Sequence, residues 1–372
     1  MKVRRVLKWG AGVLGVVLLG LTGWMLVSYW TSTNDCDSKA GLPSHPMKAI
    51  RYCEYGSPED VLKLEEIEKT VPNDNQILVR VRAAALNPLD LSIRTPLWIQ
   101  VITGRRKPKE TRLGVDYAGT VEAVGKDVTQ FKPGDEVFGG KIGAYSEYVC
   151  AVGDRAVMLK PANVTFEQAA SVPVAAITAL QGLRDKGHIQ PGQKVLINGA
   201  SGGVGTFAVQ IAKSFGAEVT AVTSTRNVDL VRSIGADHVI DYTKEDFTKT
   251  DQRYDLIYDI VNNHSFSERR QILTPNGICV MVGFGGSGIH DEIWGRLGGA
   301  LSALVRSWFV SQKFVIFLAN LNRPDLKILA DLMESGKMTP VIDRTYKLGE
   351  VPQALKYLEQ GHARGKVVIT VD

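Results

Sequence analysis

The sequence contains little cysteine: four residues among 372, with no Cys-x-x-Cys pair. The cysteines are widely separated and are Cys36, Cys53, Cys150 and Cys279. Without closely spaced pairs, neither a zinc-binding lobe nor a disulfide framework is predicted. We expect buried or incidental thiols. Cys36 is able to pair after export, but the sequence offers no partner for it.

The chain also has little excess charge beyond its first eight residues. The formal net charge is +5, and Lys2, Arg4, Arg5 and Lys8 supply four of these charges, which leaves +1 for the rest. Because nucleic-acid binding requires clustered positive charge, no nucleic-acid partner is predicted. The length leaves room for two domains of ordinary size.

Charged residues are absent from the 22-residue stretch between Trp9 and Trp30. That length spans a bilayer, and aromatic residues lie toward its ends as they do at membrane interfaces. We therefore expect residues 1–30 to form a cytoplasmic basic segment followed by one transmembrane helix. The alternative is a cleaved secretory peptide, which the length and the lack of a small-x-small cleavage pattern disfavour.

Residues 31–46 are predicted to be a polar linker, and the folded body begins near Met47. Short alternating segments follow, separated by turn residues such as Pro133-Gly134-Asp135. They lie at 49–52, 76–83, 120–125 and 143–149. This pattern predicts an all-β, partly open barrel over residues 47–172.

Residues 194–210 predict a strand, a glycine turn and the start of a helix. The apolar run 195–197 is typical of a buried parallel strand, and the turn is rich in glycine. Such a turn lets backbone N–H groups approach a pyrophosphate at the positive end of the helix. The predicted cofactor-binding residues of the turn are Ala200, Ser201, Gly202, Gly203, Val204 and Gly205. An ordinary tight turn is the alternative, but a second strand at 218–222 completes a βαβ unit and favours a dinucleotide site.

The tip of that second strand carries no carboxylate. In such units an Asp or Glu at this point accepts a hydrogen bond from the adenosine ribose 2′-hydroxyl. Residues 223–227 instead contain Ser224 and Arg226, which suit a 2′-phosphate. NADPH is therefore the predicted cofactor, unless Arg226 only solvates a helix start. The positive-inside rule would place the large domain across the membrane, where NADPH is scarce, so its side of the membrane stays open.

The rest of the chain continues this alternation. Further apolar runs typical of strands lie at 239–240, 255–259 and 278–283. They predict a doubly wound sheet over residues 173–297. Residues 298–372 are expected to return to the first domain and to end in a strand at 366–371. An apolar helical region at 301–318 is interpreted as a buried helix face, a dimer-facing surface or a lipid-touching one.

Several motifs recur in a characteristic order along residues 47–372. Besides the glycine turn, they lie at 84–90, 114–121, 134–139 and 361–368. On these motifs the chain resembles the medium-chain dehydrogenase/reductase superfamily, and within it the zinc-independent quinone oxidoreductase, or zeta-crystallin-like, branch. The resemblance implies a fold of class α/β plus β: a GroES-like catalytic domain and a Rossmann NADP-binding domain, here preceded by the transmembrane helix. It also implies a homodimer.

Two departures from zinc-using members of the superfamily are informative. Asn87 stands where those members place a cysteine, and Gly114-Val115-Asp116 stands where they have Gly-His-Glu. Neither replacement restores the ligands of a tetrahedral site, so no metal is predicted. Quinones and conjugated carbonyls need less polarisation than alcohols or simple ketones. The resemblance thus implies NADPH-dependent reduction of a quinone or of the C=C bond of an α,β-unsaturated ketone or aldehyde.

The resemblance also implies site residues. Asn87 and Asp90 line the substrate side of the cleft, where Asn87 donates to a carbonyl or quinone oxygen. An Asn before Pro also forms turns, which is the competing interpretation. Tyr52 is a candidate proton donor or quinone-stacking residue, against a plain barrel tyrosine or a proton from water. The cofactor candidates are Thr178 near the nicotinamide amide, Tyr242 by the 2′-phosphate, Gly283 and Phe284 after the last strand, and Lys366, which like Arg364 could instead be a solvated charge.

Other functions stay open at this stage. One is a zinc-free alcohol or aldehyde dehydrogenase, and another is a non-catalytic NADPH-binding module associated with a membrane. A third is an enoyl reductase acting on an acyl chain held by an acidic carrier. That carrier would need a basic patch such as residues 105–109, although charge runs are commonly solvated loops.

Overall fold

A computed structural model of the protein describes residues 23–37, 42–103, 105–282 and 310–371. The first domain is built on antiparallel strands, as predicted. Its strands before residue 160 are β1 (Pro46–Arg51), β2 (Lys63–Glu68), β3 (Gln76–Ala85), β4 (Asp116–Val124), β5 (Glu136–Gly140), β6 (Tyr148–Val152) and β7 (Val157–Leu159). β1 pairs with β2, while β3, β4, β5 and β7 are neighbours in that order and β6 also pairs with β3.

The central strand β3 shows how the sequence orients this domain. Val79 and Val81 are buried, whereas Arg80 and Arg82 between and after them are exposed. Because successive side chains of a strand point to opposite faces, this alternation turns the valines into the core.

Short helices connect the strands of the first domain. They are α1 (23–30), α2 (Pro58–Val61), a 3-10 helix at Pro88–Arg94, α3 (Leu97–Thr103) and α4 (Phe166–Ala170). The 3-10 helix begins directly after β3. There the Asn87 N–H donates to the Asp90 carboxylate at 2.8 Å, and the Asp90 N–H donates to the Asn87 carbonyl oxygen at 2.9 Å. Asn87 and Asp90 therefore form a turn, which fixes both residues just after the strand.

The second domain is a parallel sheet with helices between its strands. It begins with α5 (Pro173–Gln181) and a π-helical turn at Gly182–Lys186. The next elements are β8 (Lys194–Asn198), α6 (Gly203–Ser214), β9 (Glu218–Thr223), α7 (Val228–Ser233), β10 (His238–Asp241), β11 (Tyr254–Asp259), α8 (Phe266–Gln271), β12 (Leu273–Met281) and β13 (Lys313–Ile316). The strand order is β10-β9-β8-β11-β12-β13, which confirms the predicted doubly wound sheet. All these strands are parallel, but the order in which successive strands are added reverses between β8 and β11, and sheets of this kind bind ligands at such a point.

The second domain extends past residue 297, where the sequence placed its end. β13 pairs in parallel with β12, joining Val315 to Val280 and Phe314 to Cys279. The prediction of a helix running to residue 318 is therefore wrong at its carboxyl end, and residues 301–309 lie outside the described residues. A short apolar run does not by itself distinguish a buried strand from a buried helix.

The chain then returns to the first domain. The returning elements are α9 (Arg323–Glu334), β14 (Ile342–Lys347), α10 (Val351–Glu359) and β15 (Lys366–Thr370). β15 lies between β14 and β3. Just before it, the Gly365 N–H donates to the Ser201 carbonyl oxygen at 2.9 Å, and Gly202 and Gly365 form a β-bridge. The returning strand therefore starts against the glycine turn of the second domain.

The predicted membrane anchor requires correction. Residues 1–22, which hold most of the uncharged stretch, lie outside the described residues, and residues 23–30 form α1. In the part of the chain that the structure describes, no helix combines the length and the apolar character needed to cross a membrane. The predictions of a transmembrane helix and of a single-pass membrane location are therefore wrong, and the predicted membrane partner is unsupported. They rested on hydropathy, length and the aromatic residues toward the ends of the stretch. One of these, Trp30, contacts the first domain, where the Arg106 guanidinium lies 5.5 Å from its ring centre.

The predicted absence of disulfides is also wrong. Cys36 and Cys53 are bonded to each other, with 5.9 Å between their Cα atoms. Polar contacts lie on both sides of the bond: Asn34 Nδ2 donates to the Cys53 carbonyl oxygen at 2.9 Å, and Arg51 is 3.3 Å from Asp35. The two cysteines are 17 positions apart, and only the docking of the linker beside β1 brings them together.

The basic run at 105–109 lies against the same amino-terminal segment. The backbone N–H groups of Arg106 and Lys107 donate to Ser32 Oγ at 3.0 and 3.2 Å, and Lys107 forms an ion pair with Asp37. The Lys107 ammonium, one of the charges proposed for an acyl-carrier patch, is thus engaged within the chain, and the Arg106 guanidinium lies over the Trp30 ring.

Removing the disulfide is expected to weaken the fold. Cys36→Ser opens a covalent loop of 17 positions, for which chain-entropy arguments give about 3 kcal/mol of unfolding free energy. Urea unfolding with and without dithiothreitol measures the effect. The reductant is expected to destabilise the wild type and to leave Cys36→Ser unchanged. Equal midpoints for the oxidised wild type and Cys36→Ser would contradict this expectation.

Candidate functional site

The glycine turn connects β8 to α6 through backbone that side chains cannot occupy. Gly199 has φ +87°, a left-handed conformation that favours glycine. A Cβ added at Gly205 would lie 2.1 Å from the Gly199 carbonyl oxygen, so the first turn of α6 packs directly on the loop. The first N–H groups of a helix have no acceptor within it and carry partial positive charge. The turn therefore fits the pyrophosphate of a dinucleotide.

The tip of β9 presents hydroxyl, amide and guanidinium groups beside this turn. Asn227 Nδ2 donates to Ser201 Oγ at 3.0 Å and to Ser224 Oγ at 3.2 Å. Asn227 Oδ1 is enclosed and accepts no hydrogen bond among the described residues. An enclosed acceptor without a partner fits a donor on a bound molecule, such as a ribose hydroxyl. Arg226 is exposed, and its guanidinium donates to the His362 carbonyl oxygen at 2.8 Å, which places the charge between the two domains.

A carboxylate that the sequence analysis did not consider lies one strand away. Asp241 ends β10 and accepts a hydrogen bond from Thr225 Oγ1 at 2.6 Å, and Lys244 is 3.2 Å away. The Thr225 bond is the main cause that lowers the pKa of this carboxyl. The next residue, Tyr242, is 59% exposed and lines an open pocket at the carboxyl edge of the sheet. Tyr242 is thus available to a ligand, whereas Asp241 is occupied by its neighbours.

The remaining cofactor candidates divide into two groups. Thr178 is half-buried on α5, where its hydroxyl donates to the Val174 carbonyl oxygen at 2.7 Å and its carbonyl accepts from Tyr258 Oη at 2.9 Å. Gly283 and Phe284 lie outside the described residues. The predicted roles of all three stay predictions.

Lys366 lies in a buried cluster at the ends of β3 and β4. Its ammonium donates to Asn87 Oδ1 at 2.7 Å and to the Leu86 carbonyl oxygen at 2.8 Å, and it is 3.5 Å from Asp116 Oδ2. Asn87 Nδ2 donates to Asp116 Oδ2 at 2.9 Å. Asn87, Asp116 and Lys366 are each at most 3% exposed. The interpretation of Lys366 as a solvated charge is therefore wrong, because buried charges persist only when they are paired and hydrogen-bonded.

The same lysine connects this cluster to the glycine turn. A Cβ added at Gly203 would lie 3.2 Å from Lys366 Cδ, so the lysine stem contacts the first turn of α6. Its ammonium points away from the turn toward Asn87. Burial lowers the pKa of Lys366 and raises that of Asp116, while each charge favours the ionised form of the other.

Asp90 and Tyr145 extend the cluster on the other side of Asn87. Tyr145 Oη donates to Asp90 Oδ2 at 2.6 Å, and the Asn87 N–H donates to the same oxygen. Tyr145 is fully buried and Asp90 is 2% exposed. Burial raises the pKa of Asp90 to about 6, and the neighbouring Asp116 carboxylate adds to the rise.

Asn87 is already engaged within this cluster. Its Oδ1 accepts from Lys366 and its Nδ2 donates to Asp116, with the Ala85 carbonyl oxygen 3.5 Å from the same nitrogen. Donation to a substrate oxygen stays a prediction, and it competes with these bonds.

Tyr52 is 7% exposed at the end of β1, and its N–H donates to the Thr111 carbonyl oxygen at 2.9 Å. Burial, reinforced by Tyr55, Glu110 and Asp90, raises the pKa of Tyr52 to about 12, so its hydroxyl keeps its proton. Its role as a proton donor or stacking residue also stays a prediction.

Tyr145 was not predicted to belong to this cluster, and Asp116 was noted only as a departure from a metal motif. In the sequence, Tyr145 is one residue of an alternating strand segment. Its hydrogen-bond partner Asp90 is 55 positions away, so no local pattern connects the two. Asp116 could have been found from the sequence as a carboxylate at the otherwise apolar start of a buried strand. A buried charge requires a partner, so this position indicates a paired carboxylate.

A metal does not fit the cluster around Asn87. Its donors are an amide and a carboxylate, and a lysine ammonium already occupies the cation position between them. Among the described residues, no group of three or more His, Cys, Asp or Glu is arranged to hold a metal ion. The absence of zinc remains a prediction, which this donor set supports.

Comparisons with known proteins agree with this arrangement. A family model described as alcohol dehydrogenase GroES-like domain matches residues 73–182, and one described as zinc-binding dehydrogenase matches residues 234–369. The chain is 37% identical over 351 residues to the 2-methylene-furan-3-one reductase of Solanum lycopersicum, covering 90% of this chain and 81% of that protein. It is 36% identical over 327 residues to the NAD(P)H oxidoreductase RTN4IP1, mitochondrial, of Homo sapiens, with coverages of 80% and 82%.

Solved structures of quinone oxidoreductases share this fold. The quinone oxidoreductase from Coxiella burnetii superposes with a TM-score of 0.76 at 31% identity, covering 88% of this chain and all of that one. The Escherichia coli quinone oxidoreductase complexed with NADPH superposes with a TM-score of 0.72 at 26% identity, with coverages of 87% and 99%.

The fold and the glycine turn thus define a two-domain oxidoreductase that uses a nicotinamide cofactor. The chain belongs to the medium-chain dehydrogenase/reductase superfamily, in its quinone oxidoreductase branch. The predicted family and the predicted GroES-like and Rossmann domains are confirmed, and the enzyme is an NAD(P)H-dependent reductase.

Proposed function

We propose that this enzyme uses NADPH to reduce a quinone or the C=C bond of an α,β-unsaturated ketone or aldehyde. The observation that carries the proposal is the lysine ammonium between Asn87 and Asp116, whose positions match, by the family resemblance, the cysteine and the Gly-His-Glu motif of zinc-using members. Without a Lewis acid to polarise an unactivated carbonyl, conjugated acceptors are the substrates that hydride reduces most readily.

The names of two relatives support this substrate class. They include the 2-methylene-furan-3-one reductase of Solanum lycopersicum and the NADPH-dependent alkenal/one oxidoreductase, chloroplastic, of Arabidopsis thaliana. A panel of 9,10-phenanthrenequinone, a benzoquinone, an enone and an enal tests the proposal through NADPH oxidation. Oxidation of alcohols by NADP⁺ with no turnover of the panel would favour a zinc-free alcohol dehydrogenase. Cofactor binding with no turnover in either direction would favour a non-catalytic module.

NADPH is proposed over NADH on the position of Arg226. Its guanidinium lies at the tip of β9 beside Ser224 and is exposed to the cleft between the domains. A guanidinium forms charge-assisted hydrogen bonds to a phosphate. The neighbouring Asp241 carboxylate does not compete for the 2′-position, because Thr225 and Lys244 hold it.

Arg226→Ala is expected to raise the KM for NADPH about 10- to 100-fold and to leave the KM for NADH unchanged. The factor corresponds to about 1.5–3 kcal/mol for a hydrogen bond to a charged group. Initial rates with both cofactors measure the effect. Arg232→Ala provides the matched control, because Arg232 is an exposed arginine on the following helix. An equal rise for NADPH and NADH would show that Arg226 supports the loop rather than the 2′-phosphate.

A homodimer is also part of the proposal. In the described part of the chain β13 is the terminal strand of the second sheet, so its outer edge offers backbone groups to a second copy. Light scattering by the purified full chain tests this. A molar mass of two chains supports the dimer, and a mass of one chain refutes it.

A further inference from the structure

The two buried carboxylates beside Asn87 differ in their partners. Asp116 has the Lys366 ammonium 3.5 Å from its Oδ2. Asp90 has only neutral donors, the Asn87 N–H and the Tyr145 hydroxyl, and no cation forms an ion pair with it in the part of the chain that the structure describes. The cluster thus holds two buried carboxyl groups and one buried cation, and the cation forms its ion pair with Asp116 rather than with Asp90.

The hydrogen bonds of Asp90 all end on one oxygen. Both the Asn87 N–H and Tyr145 Oη donate to Oδ2, at 2.8 and 2.6 Å. Oδ1 accepts no hydrogen bond from the described residues, because both donors end on Oδ2. Oδ1 is therefore the carboxyl oxygen that is left to carry a proton.

The charged and titratable groups that face Asp90 come from four elements. They are Tyr52 after β1, Asp116 at the start of β4, Tyr145 before β6 and Lys366 at the start of β15. The lysine stem lies against the first turn of α6, so this cluster borders the cofactor site. Asp90 thus belongs to a buried cluster whose lysine contacts the glycine turn.

We propose that Asp90 holds, on Oδ1, the proton that completes reduction of the substrate, and that Tyr145 and Asn87 position its carboxyl group. This inference rests on the proposed function. It identifies the source of a proton that the hydride reaction requires.

The reaction balances with these groups. A bound reduced nicotinamide would supply the hydride and with it both electrons. The substrate then takes one proton: the O–H bond at Asp90 Oδ1 breaks, and a new O–H or C–H bond forms on the substrate. Asp90 is left as a carboxylate, which the Tyr145 hydroxyl and the Asn87 N–H stabilise through Oδ2, and water restores its proton before the next turnover.

The titration of Asp90 agrees with this role. Burial raises its pKa from 3.8 to about 6, within the range where general acids work near neutral pH. The Tyr145 hydrogen bond opposes the rise, because it stabilises the ionised form. Removing that hydroxyl is therefore expected to raise the pKa of Asp90 further, and this rise moves the pH profile of kcat only if Asp90 donates the proton.

The test compares pH profiles of kcat for the full-length wild type, Asp90→Asn and Tyr145→Phe with one quinone and one enone. The wild-type kcat is expected to fall above about pH 6. Asp90→Asn is expected to lower kcat about 10²- to 10⁴-fold and to abolish the fall. Tyr145→Phe is expected to move the fall to higher pH. Asp127→Asn, the same change at an exposed carboxylate of the first domain, is expected to match the wild type.

A second readout requires no turnover. The fold favours protonated Asp90, so its contribution to stability is complete below pH 3.8 and is lost as the pH rises through about 6. Asn copies the protonated acid, with its NH₂ in place of the Oδ1 hydroxyl. The urea midpoint of the wild type is therefore expected to fall relative to that of Asp90→Asn between pH 4.5 and 7.5.

Each outcome has one meaning. Asp90→Asn with the wild-type kcat and profile overturns the proposal, as does a midpoint difference that does not change with pH. A wild type that turns over no quinone or enone shows failure of the proposed function instead. In that case the midpoint comparison still decides whether Asp90 retains a proton in the folded protein.

Discussion

Lys366→Met is expected to lower the free energy of unfolding by about 3–5 kcal/mol at pH 8, the range measured when one partner of a buried ion pair is removed. The variant leaves Asp116 buried without a cation and Asn87 Oδ1 without its donor. The loss is expected to be smaller at pH 5, because an unpaired buried carboxyl group takes up a proton more readily at lower pH. Urea unfolding at the two pH values measures both effects.

Lys327→Met is the matched control for this prediction. Lys327 pairs with Asp331 at 2.7 Å, but both side chains are more than half exposed. Exposed pairs of this kind contribute about 0–1 kcal/mol. A second variant, Lys366→Met with Asp116→Asn, removes both buried charges and is expected to recover part of the loss. If Lys366→Met and Lys327→Met unfold at the same urea concentration, the Lys366 ammonium does not stabilise the buried cluster.

Gly205→Ala is expected to damage both the fold and the cofactor site. The added Cβ would lie 2.1 Å from the Gly199 carbonyl oxygen and 2.7 Å from the Ala200 backbone, which a methyl group cannot occupy. Because both contacts are backbone, the turn and the start of α6 must move apart. We expect a loss of about 1–3 kcal/mol or more from overpacking. We also expect NADPH affinity to fall at least about tenfold, since about 1.4 kcal/mol of misplaced pyrophosphate contacts corresponds to that factor. Urea unfolding and NADPH fluorescence titration measure the two effects.

Gly202→Ala is the matched control, because it removes a glycine from the same turn without creating a steric clash. Gly202 has φ −82° and ψ 179°, and its added Cβ would be 3.5 Å from the nearest atom, so alanine fits there. Its urea midpoint is expected to stay close to that of the wild type. A loss of stability as large as that of Gly205→Ala would mean that the close approach at Gly205 does not explain the requirement for glycine.

The sequence by itself determined the elements whose signals are local. The alternation in β3, the apolar run of β8 and the glycines after it specify a barrel strand and a βαβ unit, because strand period and turn chemistry depend on near neighbours. The order of these elements indicated the family. The lack of a carboxylate at the tip of β9, together with Arg226, indicated a 2′-phosphate. The uncharged residues 9–30 also gave a strong local signal, but hydropathy alone led to a wrong membrane helix.

Tertiary structure decided what depends on residues far apart in the chain. Cys36 finds Cys53 only because the linker lies beside β1, and Phe314 joins a parallel sheet rather than a helix because β12 offers it an open edge. In the sequence, Lys366 cannot be distinguished from a surface charge. The pairing of β15 with β3 places its ammonium 2.7 Å from Oδ1 of Asn87, which lies 279 positions earlier. Burial then makes these contacts energetically important, since a charge without water must find its partner within the protein.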